Sequence, residues 1–246
     1  MKLTGNTVLI TGGSSGYGLE LAKQLTAQNN RVLICGRDSG KLAAAKELIP
    51  ALSVFQCDVS IPEDCHKLQH WISLEHPTLN ILVNNAAVVH YSEFLTDEET
   101  IEKAKAEFET NLLAPIRLTK LLLPILLQNQ TANLINITTG LVYIPRTRYT
   151  YYNASKAALH SFTQVLRAQL AGQAIQVREI MLPAVDTPWH KGNPPKIAIS
   201  AAEAVLFSLQ ALETDREEMR IGKVKLLYVL SRLFPKLAFN KLNSLD

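Results

Sequence analysis

TVLITGGSSGYGLELAKQLTAQ, residues 7–28, sets a short β-branched and aliphatic run directly against a glycine-rich turn and then a helical pattern. TVLIT (7–11) reads as a strand, and the helix spans about 17–28. Glycines at 12, 16 and 18 permit a tight turn, a close backbone approach, and contact between helix and sheet. The start of that helix offers unpaired N–H groups and the positive end of its dipole to a pyrophosphate. A glycine-rich turn can also exist with no ligand. Its place after the first strand and before the first helix points to a dinucleotide.

The same alternation continues outward. RVLIC (31–35), SVFQC (53–57), NILVN (80–84), NLINIT (133–138) and IQVREIM (175–181) read as strands. Helical stretches fall at about 39–48, 62–75, 98–127, 151–171 and 200–213, with a short run near Arg220–Gly222. Apolar runs bounded by turn residues suit strands buried on both faces, and strand–helix alternation gives a parallel, doubly wound α/β sheet. Without a repeat, a linker or a low-complexity segment, residues 1–246 form a single domain. It ends in an amphipathic tail at about 223–246, expected to pack on the body rather than lie on a membrane or cover a pocket.

Composition narrows the class. Of 246 residues 47% are hydrophobic, enough for a large core, and the formal net charge is only +3 with no long run of one sign. That balance argues against nucleic acid as a partner. Cys35, Cys57 and Cys65 lack metal-ligand spacing and suit buried thiols in a reducing cytosol, so no metal site is expected. With no signal-like start and no apolar run long enough for a bilayer, the expectation is a cytoplasmic chain without a transmembrane segment.

Two further stretches carry chemistry. At the end of the second strand, where an NAD site places an acid for the ribose 2′-hydroxyl, stand Gly36 and Arg37. A small residue leaves room for a 2′-phosphate and a guanidinium can bind it, so NADP(H) is preferred and NAD(H) possible. Asp38 follows and works against that bias. RYTYYNASK (148–156) crowds three tyrosines before a lysine. On a helix Tyr152 and Lys156 lie about 40° and one turn apart, whereas Tyr151 points about 140° away. Tyr149 regains the face but sits about 10 Å further along the axis, so Tyr152 is the candidate reacting phenol.

TGGSSGYG, CDVS (57–60), NNAA (84–87), Asn111, NITTG (136–140), YNASK (152–156) and PAVDT (183–187) occur in order along the chain. This set resembles the short-chain dehydrogenase/reductase family over nearly the whole length. The flanking LLAPIRLTKLLLP, TTGLVYIP and YVLSRLFPKLAF are similar to the branch named after the lipoteichoic-acid D-alanylation operon. The resemblance implies a single-domain, Rossmann-type doubly wound parallel sheet with helices on both faces. It implies a cofactor loop at Thr11, Gly12, Ser14, Ser15, Gly16, Tyr17 and Gly18. Asp58 and Val59 would hold the adenine end, Asn84 the central loop beside the cofactor, and Pro183, Val185 and Thr187 the nicotinamide carboxamide. Asn111 matches the asparagine that steadies a water in a proton relay, and a mid-helix asparagine can also simply bend its helix. Tyr152 and Lys156 match the catalytic pair, both also touching cofactor.

Two departures stand out. Ala87 replaces the usual glycine of NNAG, and Thr139 stands where the family has its catalytic serine. Threonine keeps the hydroxyl but adds a methyl and a stiffer χ1. Alternation along the strand sends its neighbour Thr138 to the opposite face, where substitution is expected to be mild.

The implied function is an NADP(H)-dependent carbonyl reductase/alcohol dehydrogenase acting on a ketone or secondary alcohol. Tyr152 would be the acid/base, Lys156 the cation that favours its ionised form, and Thr139 the hydroxyl that orients the carbonyl. The alternatives are a 3-oxoacyl thioester reductase and a non-catalytic cofactor-sensing protein of the same fold. Val88, Val89, His90, Tyr91, Tyr143, Ile144, Trp189 and His190 are expected around an apolar pocket, neither histidine acting as a catalyst. The family's habit of pairing two long helices, here about 98–127 and 151–171, implies a homodimer or homotetramer.

Overall fold

Alternate residues of each central strand are buried in two different apolar layers, which forces helices onto both faces of one sheet. Val8 and Ile10 face one layer and Leu9 the other; Val32 and Ile34 repeat the pattern against Leu33. The computed structural model describes residues 1–190 and 192–244. In chain order the elements are β1 (Thr7–Thr11), α1 (Gly16–Ala27), β2 (Arg31–Gly36), α2 (Ser39–Leu48), β3 (Ser53–Gln56), α3 (Pro62–Glu75) and β4 (Ile81–Asn84). Then come α4 (Thr100–Phe108), a π-helical turn (Glu109–Leu113), α5 (Ala114–Leu126), β5 (Ala132–Thr139) and α6 (Thr150–Gln169). The last third holds β6 (Ile175–Leu182), β7 (Val185–Asp186), β8 (Ile199–Ser200), α7 (Ala201–Leu212), β9 (Glu218–Arg220), α8 (Val224–Leu233) and α9 (Pro235–Asn243).

The main sheet has seven strands in the order β3-β2-β1-β4-β5-β6-β9, and every neighbouring pair is parallel. The order reverses between β1 and β4, so the carboxyl ends of those strands open a crevice at the switch point, the usual ligand position in such sheets. Helices α1 and α7 pack on one face; α3 and α5 pack on the other. Cys35, Cys57 and Cys65 are free and buried.

Three local features differ from the sequence expectation. The helix expected over 98–127 is interrupted at Glu109–Leu113, where the Ala114 N–H reaches back five residues to the Glu109 carbonyl. Such π turns widen a helix locally and occur often at functional sites. β5 runs one residue longer at each end than read, ending on Thr139, whose side chain then accepts from the Leu141 N–H and caps a 3₁₀ turn. The tail forms two helices, broken at Phe234 because Pro235 begins α9 and cannot continue α8. Helix α8 lies against the end of β5: a Cβ on Gly140 would come within 3.0 Å of Val224 and 3.1 Å of Leu227. The absence of a side chain there lets the tail approach the strand that carries Thr139. Residues 245 and 246 of the tail lie outside the described residues.

Candidate active site

The carboxyl ends of β1, β2, β4, β5 and β6 open into a single cleft of about 910 Å³. Its floor begins at the loop after β1. Gly12 has φ +64°, and a Cβ there would sit 2.9 Å from the Ala86 Cα. A Cβ on Gly18 would meet both the Gly12 carbonyl oxygen and Asn85 Nδ2 at 2.5 Å. The loop therefore lies flat against residues 85–86. Ser15 provides no side-chain cap to α1, whose first turn carries no acid, so the helix N-terminus turns its N–H groups toward the cleft. Gly12, Ser14, Ser15, Gly16, Tyr17 and Gly18 all border it. The Tyr17 ring packs into the core, and burial pushes its phenol up, so this residue contributes backbone. These residues fit a dinucleotide's pyrophosphate: they form a cradle without side chains beside a helix start.

Two residues expected to touch cofactor do not line the cleft. Thr11 is buried; its Oγ1 accepts from the N–H groups of Asn85 and Ala86, each at 3.0 Å, and so braces the cradle from behind. Asn84 is also buried, donating to Asn136 Oδ1 at 2.8 Å, while Asn136 donates to Thr163 Oγ1 at 2.8 Å. This ladder ties β4, β5 and α6 together beneath the site. The residue on the cleft wall is its neighbour Asn85, whose Nδ2 donates to Thr11 O and Gly12 O. Ala87 lines the cleft without strain: among the described residues the only non-glycine with positive φ is Asn29, so no glycine is demanded there.

At the β2 end, Gly36, Arg37, Asp58 and Val59 border the cleft as expected, and Lys41 joins them. Asp38 borders the cleft too. Its Oδ1 accepts from the Lys41 N–H at 2.9 Å and caps the start of α2, and its Oδ2 lies 3.9 Å from Lys41 Nζ. Asp58 Oδ1 accepts from the N–H and hydroxyl of Ser60 at 3.0 and 2.7 Å, which stiffens the turn after β3. At the β6 end Pro183, Val185 and Thr187 all face the cleft, together with Trp189 and His190.

Helix α6 carries the candidate reacting pair. Lys156 is 2% exposed, its Nζ donates to the Ile137 carbonyl at 2.9 Å, and it stands 6.0 Å from the centre of the Tyr152 ring. Burial lowers its pKa to about 8 against the opposing pull of Glu179 and Glu107. Burial also pushes the Tyr152 phenol well above its ordinary value, with Glu107 and Tyr149 adding to the shift. In the protein alone, burial thus opposes the ionised phenol that Lys156 is expected to favour. Tyr151 turns away to hydrogen-bond with the Ser92 hydroxyl at 3.1 Å, and Tyr149 stacks among Tyr91, Trp189 and Tyr152. Both pack, as read from the helix geometry.

Thr139 lines the cleft beside Tyr152 and Lys156. Thr138 faces the other way, as alternation requires, but it is not idle. Its hydroxyl donates to the buried Glu179 carboxylate at 2.5 Å, whose other oxygen lies 2.8 Å from His160 Nδ1. Asn111 does not line the cleft. It is fully buried, its Oδ1 accepting from the Val88 N–H at 2.9 Å and its Nδ2 donating to Val88 O and Ser155 Oγ. The side chain joins the loop after β4 to α6 from within the π turn.

Sequence reading missed Glu107, one helical turn before Asn111. It is completely buried, and its Oε1 accepts from the His90 N–H at 2.7 Å and sits 2.9 Å from His90 Nδ1. His90 is thus turned to Glu107 instead of the cleft. The four-residue spacing between Glu107 and Asn111 was the available signal. Tyr143 likewise leaves the pocket, bonding Met181 and Arg220. Tyr91 and Ile144 also lie off its wall, and in their place the tail supplies Leu227, Leu230, Ala238 and Leu242. The tail covers the pocket, contrary to the simple packing role expected for it.

The model of the family described as short chain dehydrogenase matches residues 6–197. An uncharacterized oxidoreductase of Bacillus subtilis, DltE, is 38% identical over 99% of each chain. A fatty acyl-CoA reductase of Acinetobacter baylyi is 32% identical over 85% of this chain and 74% of its own. Among solved structures, a short chain dehydrogenase of Burkholderia cenocepacia in complex with NADP superposes with a TM-score of 0.87 at 24% identity, covering 98% of this chain and 99% of the other. A short-chain dehydrogenase of Sphingobium yanoikuyae in complex with NADPH gives 0.77 at 25% identity, covering 87% and 86%.

Thr138→Val keeps the shape of the side chain and removes one donor to the buried Glu179. The expected cost is about 1–3 kcal/mol of unfolding free energy, read by denaturant titration, instead of the neutral effect inferred from its direction alone. An unchanged midpoint would show that Glu179 does not depend on that bond.

Proposed function

The chain belongs to the short-chain dehydrogenase/reductase family, and on that premise we propose that it is an NADP(H)-preferring carbonyl reductase/alcohol dehydrogenase acting on a ketone or secondary alcohol. The observation that carries this reading is the convergence of Thr139, Tyr152 and Lys156 on the cleft that the glycine cradle opens. A bound nicotinamide dinucleotide supplies the hydride. The chain's own residues do the rest. Tyr152, kept as a neutral phenol by burial, is the proton donor to a carbonyl oxygen being reduced. Thr139 Oγ1 donates to the same oxygen and fixes its direction; that oxygen already accepts from Leu141, which leaves its proton available. Lys156 is anchored through Ile137 O and presents its remaining N–H groups to the cofactor ribose.

Support for the phosphorylated cofactor comes from Arg37 and Lys41, two cations on the wall where an acid would select NAD; Asp38 beside them has one carboxylate oxygen engaged in capping α2. The similarity to the Sphingobium dehydrogenase in complex with NADPH agrees with it. A second reading, reduction of a 3-oxoacyl or fatty acyl thioester, draws on the leucines that the tail places in the wall and on the similarity to the Acinetobacter reductase. A sensor without turnover would have no use for the Tyr152–Lys156 pair. Exposed Leu113 on the π turn and Val165 on α6 fit association of two or four copies through that side.

Loss of NADPH absorbance with a panel of aliphatic ketones, aromatic ketones and acyl thioesters tests the reading directly. Tyr152→Phe should abolish reduction while NADPH affinity stays within about twofold, because only the proton donor is lost. Thr139→Val should lower kcat about a hundredfold, as removal of an oxyanion-type donor does. A valine variant as fast as the parent would assign carbonyl orientation to another group. Reduction should hold on the acid side of pH 8 and decline as pH rises through about 8, where Lys156 loses its charge. A profile flat through that region would remove Lys156 from the charged machinery. Finally, Arg37→Ala should weaken NADPH by about 2–4 kcal/mol and leave NADH nearly unchanged, since only the former carries the 2′-phosphate. Equal losses for both would refute the proposed preference.

A further inference from the structure

The tail helices are apolar on two opposite sides, and only one side is covered. Inward, Leu227 and Leu230 of α8 and Ala238 and Leu242 of α9 line the cleft. Outward, Val229, Leu233, Phe234 and Leu237 are 47%, 65%, 56% and 65% exposed. Val229 and Leu233 lie about 40° apart on α8, and Phe234 and Leu237 follow at the junction and on α9, so the exposure is grouped and not scattered as single residues. An uncovered apolar face of this kind marks a contact surface.

Charge says which environment. From Gly222 onward the chain has five cations, Lys223, Lys225, Arg232, Lys236 and Lys241, against one acid at position 246. The remaining chain has 20 cations and 21 anions, so the positive charge of this protein is concentrated in the tail. Helical spacing puts Lys225 and Arg232 along one side of the α8 stripe and Lys223 along the other. Long basic side chains beside a row of leucine and phenylalanine let the stems rest on apolar surface while the charges reach a negative layer. No helix among the described residues is long and apolar enough to cross a membrane, so the contact would be made from one side.

We propose that the outer face of α8 and α9 docks on the surface of an anionic lipid bilayer. The face of Val229, Leu233, Phe234 and Leu237 enters the acyl boundary, and the flanking cations meet the headgroups. Because the inner face of the same helices lines the cleft, docking places the site a helix width from the lipid. Apolar carbonyl compounds dissolved in the membrane then have a short path to it. The docking itself does not rest on the proposed reaction.

Flotation of the full chain with vesicles tests this. One set is phosphatidylcholine alone; the other is phosphatidylcholine and phosphatidylglycerol in equal parts. Binding is expected to the anionic set only, and to fall steeply with added salt. Lys225→Glu with Lys236→Glu should reduce the bound fraction at least about tenfold. Leu233→Glu with Leu237→Glu should abolish binding, while circular dichroism and NADPH affinity stay those of the parent. Neither leucine lines the cleft. The proposal is overturned if the parent ignores both sets, or binds neutral vesicles as well as anionic ones with no loss on charge reversal. It is equally overturned if the leucine pair proves to hold two copies together, seen as a smaller sedimenting species in that variant with no vesicle binding by the parent.

Discussion

A single buried ammonium organises the site. Lys156 is withdrawn from water almost completely, and an isolated cation there would be costly. One hydrogen bond to Ile137 O helps, and Glu179 and Glu107 oppose the desolvation. Each of those carboxylates is itself buried and has to be held. Thr138 and His160 hold the first; His90 holds the second. The foundation of the cleft is thus a polar network through β5, β6, α4 and α6 around one charge. Networks of this kind are rigid when complete and expensive when broken, which suits a site needing a donor in a fixed place.

The network also decides the state of Tyr152. A lysine near a tyrosine is readily pictured as an activator, yet the phenol here is raised by burial and by Glu107, and the lysine is itself weakened. Thr139 completes the arrangement. As the last residue of β5 it lines the cleft.

Much of this was legible in the residues because it rests on hard sterics or strict periodicity. Gly12 and Gly18 must lack side chains where backbones meet, and a helix repeat alone separates Tyr152 from Tyr151. The sheet order follows from strands apolar on both faces. Other roles were hidden for identifiable reasons. Thr11, Asn84 and Asn111 each sit one residue from the cleft wall, and position along a chain does not reveal which way an end-of-strand side chain turns. The π turn is invisible because its residues favour a helix of either kind. Glu107 reads as one acid of an exposed amphipathic face until the loop carrying His90 closes over it. An amphipathic tail announces an apolar side without saying what lies beneath, and here it is the pocket.

That placement separates two kinds of stability within one molecule. The reacting groups stand on strands hydrogen-bonded on both sides and on the long helix α6. The wall opposite them is a pair of short helices at the end of the fold, joined at Phe234 and exposing much of their apolar surface. Regions with few buried contacts open at a fraction of the global unfolding free energy. The tail is therefore expected to open at lower cost than the sheet, the cradle and the buried charge network, and its amide hydrogens to exchange before those of β5.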